Sequence, residues 1–370
     1  IRMSISLAGT GANDGFAHNN GLVVFCPNHS TCNGGNHITY TGSSTEFYDV
    51  KYTSGGGYDL DLQTNTMVVT NDFTFVDGDV VNGTLEVRGD VTATAAAGNT
   101  IGGTLLLSGA AATQTLDVSA DVDDILSGTL QVNKSSGTVN LLGALNFVIA
   151  TATKIQVTSG TLNLGSSSYH ITDLDQIVID GGTLTQGNAN ITLRGTGTGA
   201  NSFQITSGTF TGGSGSIDMS LNGVQELAID GGTFTSTSGT LTVGQDFNKA
   251  TGATFTHNSG TVTVTNTTNH TNILSEGGAG TVTLYNFTIN LAGGFSVDIE
   301  DPTTVVVVGT FTRTQGRIDE LSTAAQPFQV QGNVDIDANE TNAGADGGSD
   351  MWITGGANQT IDLATITIWD

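Results

Sequence analysis

The sequence predicts an all-β chain folded as a single elongated parallel β-solenoid, a β-helix with coils of about 20–26 residues, and three observations predict it. The first is a phrase that returns five times between Lys154 and Val264. It reads Ile155-Gln-Val-Thr-Ser-Gly-Thr-Leu162, Ile177-Val-Ile-Asp-Gly-Gly-Thr-Leu184, Phe203-Gln-Ile-Thr-Ser-Gly-Thr-Phe210, Leu227-Ala-Ile-Asp-Gly-Gly-Thr-Phe234 and, in a worn copy, Ala250-Thr-Gly-Ala-Thr-Phe255. The glycines before Thr-Leu or Thr-Phe, Gly160, Gly182, Gly208 and Gly232, lie 22, 26 and 24 residues apart. The second is that apolar residues inside each phrase alternate with period two, the spacing of strands whose side chains point in and out by turns. The third is a second strand at a near-constant offset: Leu184 to Ile191, Phe210 to Ile217, Phe234 to Leu241 and Phe255 to Val262 are each seven residues, and Leu162 to Ile171 is nine.

Two strands meeting at a tight Ser-Gly or Gly-Gly corner, and a third after a short polar loop, make one coil, stacked about 4.8 Å above the last. Leu162, Leu184, Phe210, Phe234 and Phe255 are then expected to point inward, and Thr161, Thr183, Thr209, Thr233 and Thr254 outward. Asp180 and Asp230 share a corner position with Ser or Thr of the other coils, which suits side chains that hydrogen-bond a turn.

Residues 1–45 form a polar, Asn-rich N-terminal segment, and residues 46–370 are read as continuous solenoid. The segment opens on the alternation Ile1-Arg-Met3-Ser-Ile5-Ser-Leu7, a terminal strand. Cys26 and Cys32 have five residues between them and are expected to close a small disulfide loop in an oxidising compartment; a metal site with His29 and His37 is the alternative. The chain starts at Ile1 rather than Met, consistent with a removed export signal. No apolar run reaches the eighteen or so residues of a membrane helix.

Nine Lys plus Arg against 34 Asp plus Glu leave a formal charge of −25. That field repels nucleic acid and anionic lipid and attracts divalent cations. No cofactor is required, and calcium is the one candidate. Asp335, Asp337, Asn339 and Asp346 place oxygen ligands at positions 1, 3, 5 and 12 of a calcium-loop-like span, although Glu340 stands where an EF-hand turn needs Gly; an ordinary acidic loop is the other reading. Asp77, Asp79, Asp298, Glu300 and Asp301 form weaker acidic clusters of the same kind.

From Phe47 a second phrase appears and later recurs. Phe47-Tyr-Asp-Val-Lys-Tyr-Thr-Ser-Gly-Gly-Gly-Tyr-Asp-Leu60 returns as Leu284-Tyr-Asn-Phe-Thr-Ile-Asn-Leu-Ala-Gly-Gly-Phe-Ser-Val297, and Leu107-Ser-Gly-Ala-Ala-Ala-Thr-Gln-Thr-Leu-Asp117 as Ile353-Thr-Gly-Gly-Ala-Asn-Gln-Thr-Ile-Asp362. These phrases, with the Ser-Gly-Thr-Leu/Phe corners, resemble the β-strand-repeat surface proteins of bacteria, and more loosely the β-helical passengers of autotransporters and filamentous haemagglutinins. The resemblance covers residues 46–370 and implies a solenoid exported to the cell surface. It supplies no active site.

A β-helix can also carry polysaccharide-cleaving enzymes. Asp180 and Asp230, two coils apart at about 9.6 Å by strand spacing, would be the carboxylate pair of an inverting glycosidase, but no acidic cluster surrounds them. The five arginines, Arg2, Arg88, Arg194, Arg313 and Arg317, are scattered along the chain, which does not suggest a lyase base beside calcium. Thr-x-Thr pairs at Thr183/Thr185, Thr209/Thr211, Thr233/Thr235 and Thr254/Thr256 resemble the faces of solenoid antifreeze proteins, yet threonine is also an ordinary outward strand residue. Nine Asn-x-Ser/Thr sequons make glycans a candidate decoration.

The leading expectation is a non-catalytic structural protein of the cell exterior, a subunit of an extracellular filament or surface layer. Its partners would be copies of itself, joined head to tail through Ile1, Met3, Ile5 and Leu7 at one open end and Ile366, Ile368 and Trp369 at the other, or neighbouring surface proteins. An adhesin or carbohydrate-binding surface protein is the alternative, ahead of an enzyme or an ice-binding protein.

Overall fold

The computed structural model describes residues 3–5, 19–25, 38–41, 45–54, 59–94, 99–120, 125–148, 153–195, 202–221, 226–265, 271–276, 280–292, 295–300, 303–320, 328–336 and 351–363. The chain is all-β, without an α-helix among the described residues, and its parallel strands stack as a β-solenoid. It divides into two compact units: Ile1–Leu174 with Asp180–Thr185, and Asp175–Ile179 with Gln186–Asp370.

In the first unit the coil repeats as three columns of short strands. One runs through Thr66–Val69, Thr84–Val87, Thr104–Leu107, the first half of Thr129–Leu142 and Lys154–Asn163. Its inward residues Met67, Leu85, Leu105, Leu130 and Ile155 lie in register and are fully buried. A second column stacks Asp49–Thr53, Phe73–Asp77, Val91–Ala93, Thr113–Asp117 and the second half of Thr129–Leu142, with Val50, Phe73, Val91, Leu116 and Leu141 in line. The third begins at Met3–Ile5, Ile38–Tyr40, Asp59–Asp61 and Asp79–Val81. It thins to single bridges from Val80 through Ile101 and Leu126 to Phe147.

The second unit contains the coil in its plainest form. Leu227–Ile229, Thr233–Thr235 and Thr240–Val243 form one turn, and Phe247–Ala250, Thr254–Thr256 and Thr261–Val264 pair with them strand for strand in the next. Phe210, Phe234 and Phe255 are in register on one column, and Phe203 and Phe247 come in from the neighbouring column. The rings meet at centroid distances of 4.7 Å (Phe210 and Phe234), 5.3 Å (Phe203 and Phe234), 5.8 Å (Phe234 and Phe255) and 5.0 Å (Phe247 and Phe255).

The inward and outward assignments made from alternation hold. Leu162, Leu184, Phe210 and Phe234 are buried, and so are the second-strand residues Ile171, Ile191, Ile217, Leu241 and Val262. Phe255, in the worn copy, is half-buried. Thr209, Thr233 and Thr254 form an outward ladder, with Thr211, Thr235 and Thr256 beside it.

The corners require glycine for a steric reason. At Gly232 φ is +64° and an added Cβ would lie 2.3 Å from the carbonyl oxygen of Gly208 in the turn before. Gly160 and Gly208 are left-handed as well, at +74° and +89°; in the second phrase the left-handed residue is Gly181, at +118°, rather than Gly182. Only glycine takes such conformations without penalty.

Phe234 gives the test of the inward assignment. Phe234→Asp places an unpaired carboxylate among three aromatic rings, those of Phe203, Phe210 and Phe255, and it is expected to cost more than the ~3–5 kcal/mol of a Phe→Ala cavity. Urea unfolding followed by circular dichroism measures it, and a midpoint equal to that of the natural chain would invert the strand faces.

Candidate functional site

Most of the residues singled out by the sequence lie outside the described residues: Cys26, Cys32, Asp337, Asn339, Asp346, Ile1, Leu7, Ile366, Ile368 and Trp369. Met3 and Ile5 belong to the strand Met3–Ile5, which pairs in parallel with Ile38–Tyr40. Asp335 sits outward on Val334–Ile336, in register between Thr312 and Asp362. Among the described residues no three of His, Cys, Asp and Glu gather where they could hold a metal ion.

Described carboxylates are engaged in holding the turns. Asp230 is exposed at its corner and its Oδ2 accepts from Gln204 Nε2 at 2.7 Å. Asp180 occupies an exposed corner of the other compact unit. Asp79 Oδ1 accepts from the Thr100 backbone N–H at 2.7 Å, and Asp298 Oδ1 from Ser296 Oγ at 2.6 Å. On one corner of the first unit the carboxylates form a ladder. The backbone N–H of Asp72 donates to Asp49 Oδ1 at 3.1 Å, that of Asp90 to Asp72 Oδ1 at 2.9 Å, and that of Thr115 to Asp90 Oδ1 at 2.7 Å.

The phrase shared by Leu107–Asp117 and Ile353–Asp362 has one geometry in both places. Gln114 Nε2 turns inward and donates to the carbonyls of Val87 and Gly89; Gln359 Nε2 donates to those of Val330 and Gly332. A Cβ on Gly109 would lie 1.8 Å from Arg88 O, and one on Gly355 2.1 Å from Gln331 O, so each turn must press its backbone directly onto the previous one. The residues that carry the resemblance are thus inter-turn fasteners. In the first copy the fastener includes a cation: Lys134 is fully buried, and its Nζ donates to Gly109 O at 2.7 Å and to Gln114 Oε1 at 3.2 Å. Burial pushes the Lys134 ammonium below the ordinary lysine range, against a smaller upward pull from Asp90.

A concave site lies in the second unit, at a position that periodicity alone would make apolar. Met219, Val243, Val264, Ile289, Arg313 and Ile336 follow one another in register down one inward column. The other five are buried, and an arginine stands in the fifth turn of the row. Just beyond it the strand bulges, because Ile289 faces Arg313 but Asn290 faces Gln315, leaving Thr314 as the extra residue; its Oγ1 donates to Ile289 O at 3.2 Å. Gly316, at φ +90°, closes the bulge and starts the strand Arg317–Glu320. Bulges re-aim side chains in this way. Arg313 and Arg317 both line a cavity of about 310 Å³. Phe311 and Phe328, edge to face at 5.0 Å, form part of its wall, with Ile318, Ile336 and Met351. The buried Nε of Arg313 makes no hydrogen bond. Arg88, by contrast, reaches Glu86 at 2.8 Å and Glu46 at 3.0 Å on the surface.

The scatter of the arginines along the chain concealed this site. The signal was nonetheless present: in Phe311-Thr-Arg313 the alternation that puts Phe311 inside puts Arg313 inside too. Comparison of the chain with protein-family models, with curated proteins and with solved structures returns no match in any of the three.

The buried lysine makes stability depend on pH with a definite sign. Because the folded-state pKa of Lys134 is depressed, the unfolded chain holds more protons between that pKa and about 10.4, and stability rises with pH through this window. Tyr52, whose ionisation burial pushes above its usual range, acts oppositely above about pH 10. Tyr52 is common to both chains when the natural protein is compared with Lys134→Met. Urea midpoints at pH 7 and pH 9.5 are expected to show the natural chain gaining on the variant as pH rises; a constant difference would contradict the assignment.

Proposed function

We propose that the chain is a non-catalytic structural protein of the cell exterior that works by self-assembly, as a subunit of an extracellular filament or surface layer. The composition supports an exposed setting: 34 acidic residues against nine basic ones and abundant short polar side chains. The repeated phrases support a structural role, since their Gln and Gly residues hold turn to turn. The likeness to bacterial surface repeat proteins points the same way.

The observation that carries assembly is an apolar edge in the second unit. Met351–Ile353 pairs with Phe328–Val330, and Ile361–Leu363 with Val334–Ile336; among the described residues neither has a strand on its other side. Trp352, Ile353 and Ile361 are 40%, 41% and 49% exposed there. A parallel edge with open N–H and C=O groups and large apolar side chains accepts another strand, and a contact between two different surfaces that does not close on itself yields a filament.

Sedimentation velocity and negative-stain imaging test this reading. The natural chain is expected to form polymers that lengthen with concentration. A Trp352→Asp, Ile361→Lys double variant is expected to stay monomeric with an unchanged circular dichroism spectrum. A natural chain monomeric at every concentration, or a variant that still polymerises, would overturn the proposal.

A further inference from the structure

Arg313 occupies a column whose other members are Met, Val and Ile, and with its column neighbour Ile336 it lines a cavity. Arg313 is half-buried and its guanidinium is always charged, and withdrawing part of that group from water is costly unless an anion answers it. Its Nε is buried with no acceptor, and among the described residues none that lines the cavity is acidic. This occurs in a chain with 34 carboxylates to offer, two of which already pair with Arg88. The cavity gathers two of nine cationic side chains with two phenylalanines, two isoleucines and a methionine.

We propose that this cavity binds a small organic monocarboxylate with an aromatic or branched apolar body. The guanidinium fork matches a carboxylate with two parallel hydrogen bonds, which a point charge could not do. The walls choose between anions: inorganic phosphate offers nothing to Phe311, Phe328 and Met351 and loses more hydration on entering an apolar space than a singly charged carboxylate does. The volume, about 310 Å³, lies at the small end of ligand pockets and suits a single-ring acid. Arg317, across the bulge and Gly316, supplies a second positive charge beside the same space. The inference does not require the assembly reading, although one cavity residue, Met351, belongs to the edge strand Met351–Ile353.

Benzoate is the probe, titrated into the full chain by isothermal calorimetry. Saturable binding is expected, with benzamide, the neutral analogue, at least tenfold weaker and inorganic phosphate silent. Arg313→Met should weaken benzoate at least tenfold while the melting temperature holds or rises, because methionine restores the apolar column. Met351→Trp, which fills the cavity and leaves both arginines in place, should abolish binding in a chain that still folds, and it decides the matter if Arg313→Met does not fold. Absence of saturable benzoate binding, equal affinity for benzamide or phosphate, or undiminished binding in either folded variant would overturn the proposal.

Discussion

Both units depend on the spacing of a parallel β-ladder: within each, a turn lies one strand separation from the turn before it. At about 4.8 Å there is room for a backbone hydrogen bond and, at a corner, for nothing more than a hydrogen atom. Gly109 against Arg88 O and Gly232 against Gly208 O show the consequence, because any side chain there would force the turns apart. The same spacing aligns like residues, so that Met67, Leu85, Leu105, Leu130 and Ile155 meet as a column without any need for matched shapes from distant parts of the chain.

This explains what was legible beforehand. A fold whose contacts recur at a fixed interval writes that interval into the chain, and period-two alternation then separates inside from outside. Phe210, Phe234 and Thr233 could be placed from Ser-Gly-Thr-Phe and Gly-Gly-Thr-Phe alone. The left-handed residue shifted from the second to the first glycine of Gly181-Gly182, since two adjacent glycines leave the local sequence indifferent to which takes the strained φ.

The cavity was illegible for the opposite reason. It depends on departures from the repeat: one arginine in an apolar column, one extra residue at Thr314, one corner at Gly316. A repeat search averages such departures away, and Arg313 and Arg317 then look like two unrelated charges four residues apart. The fastener role of Gln114 and Gln359 was hidden differently. Their shared phrase was visible, but a glutamine in a polar stretch reads as surface until the turn beneath it presents two carbonyls.

One set of polar bonds between turns shares a direction, whereas Gly78 N–H to Asn99 Oδ1 and Gln204 Nε2 to Asp230 Oδ2 run the opposite way. Backbone N–H groups of Asp72, Asp90, Thr100 and Thr115 in the first unit, and of Ser216, Thr310 and Thr360 in the second, donate to side-chain oxygens of Asp49, Asp72, Asp79, Asp90, Asn190, Asn286 and Asn333, which all come earlier in the chain. At these positions the backbone N–H finds its side-chain acceptor already in place on the turn synthesised before it, while adjacent donors, Val50 N–H to Asp72 O and Phe73 N–H to Asp90 O, are met by the turn that follows. In a repeat fold whose turns touch only their neighbours, these side-chain oxygens let a new turn seat on the one made before it, and the backbone ladder then closes from both sides.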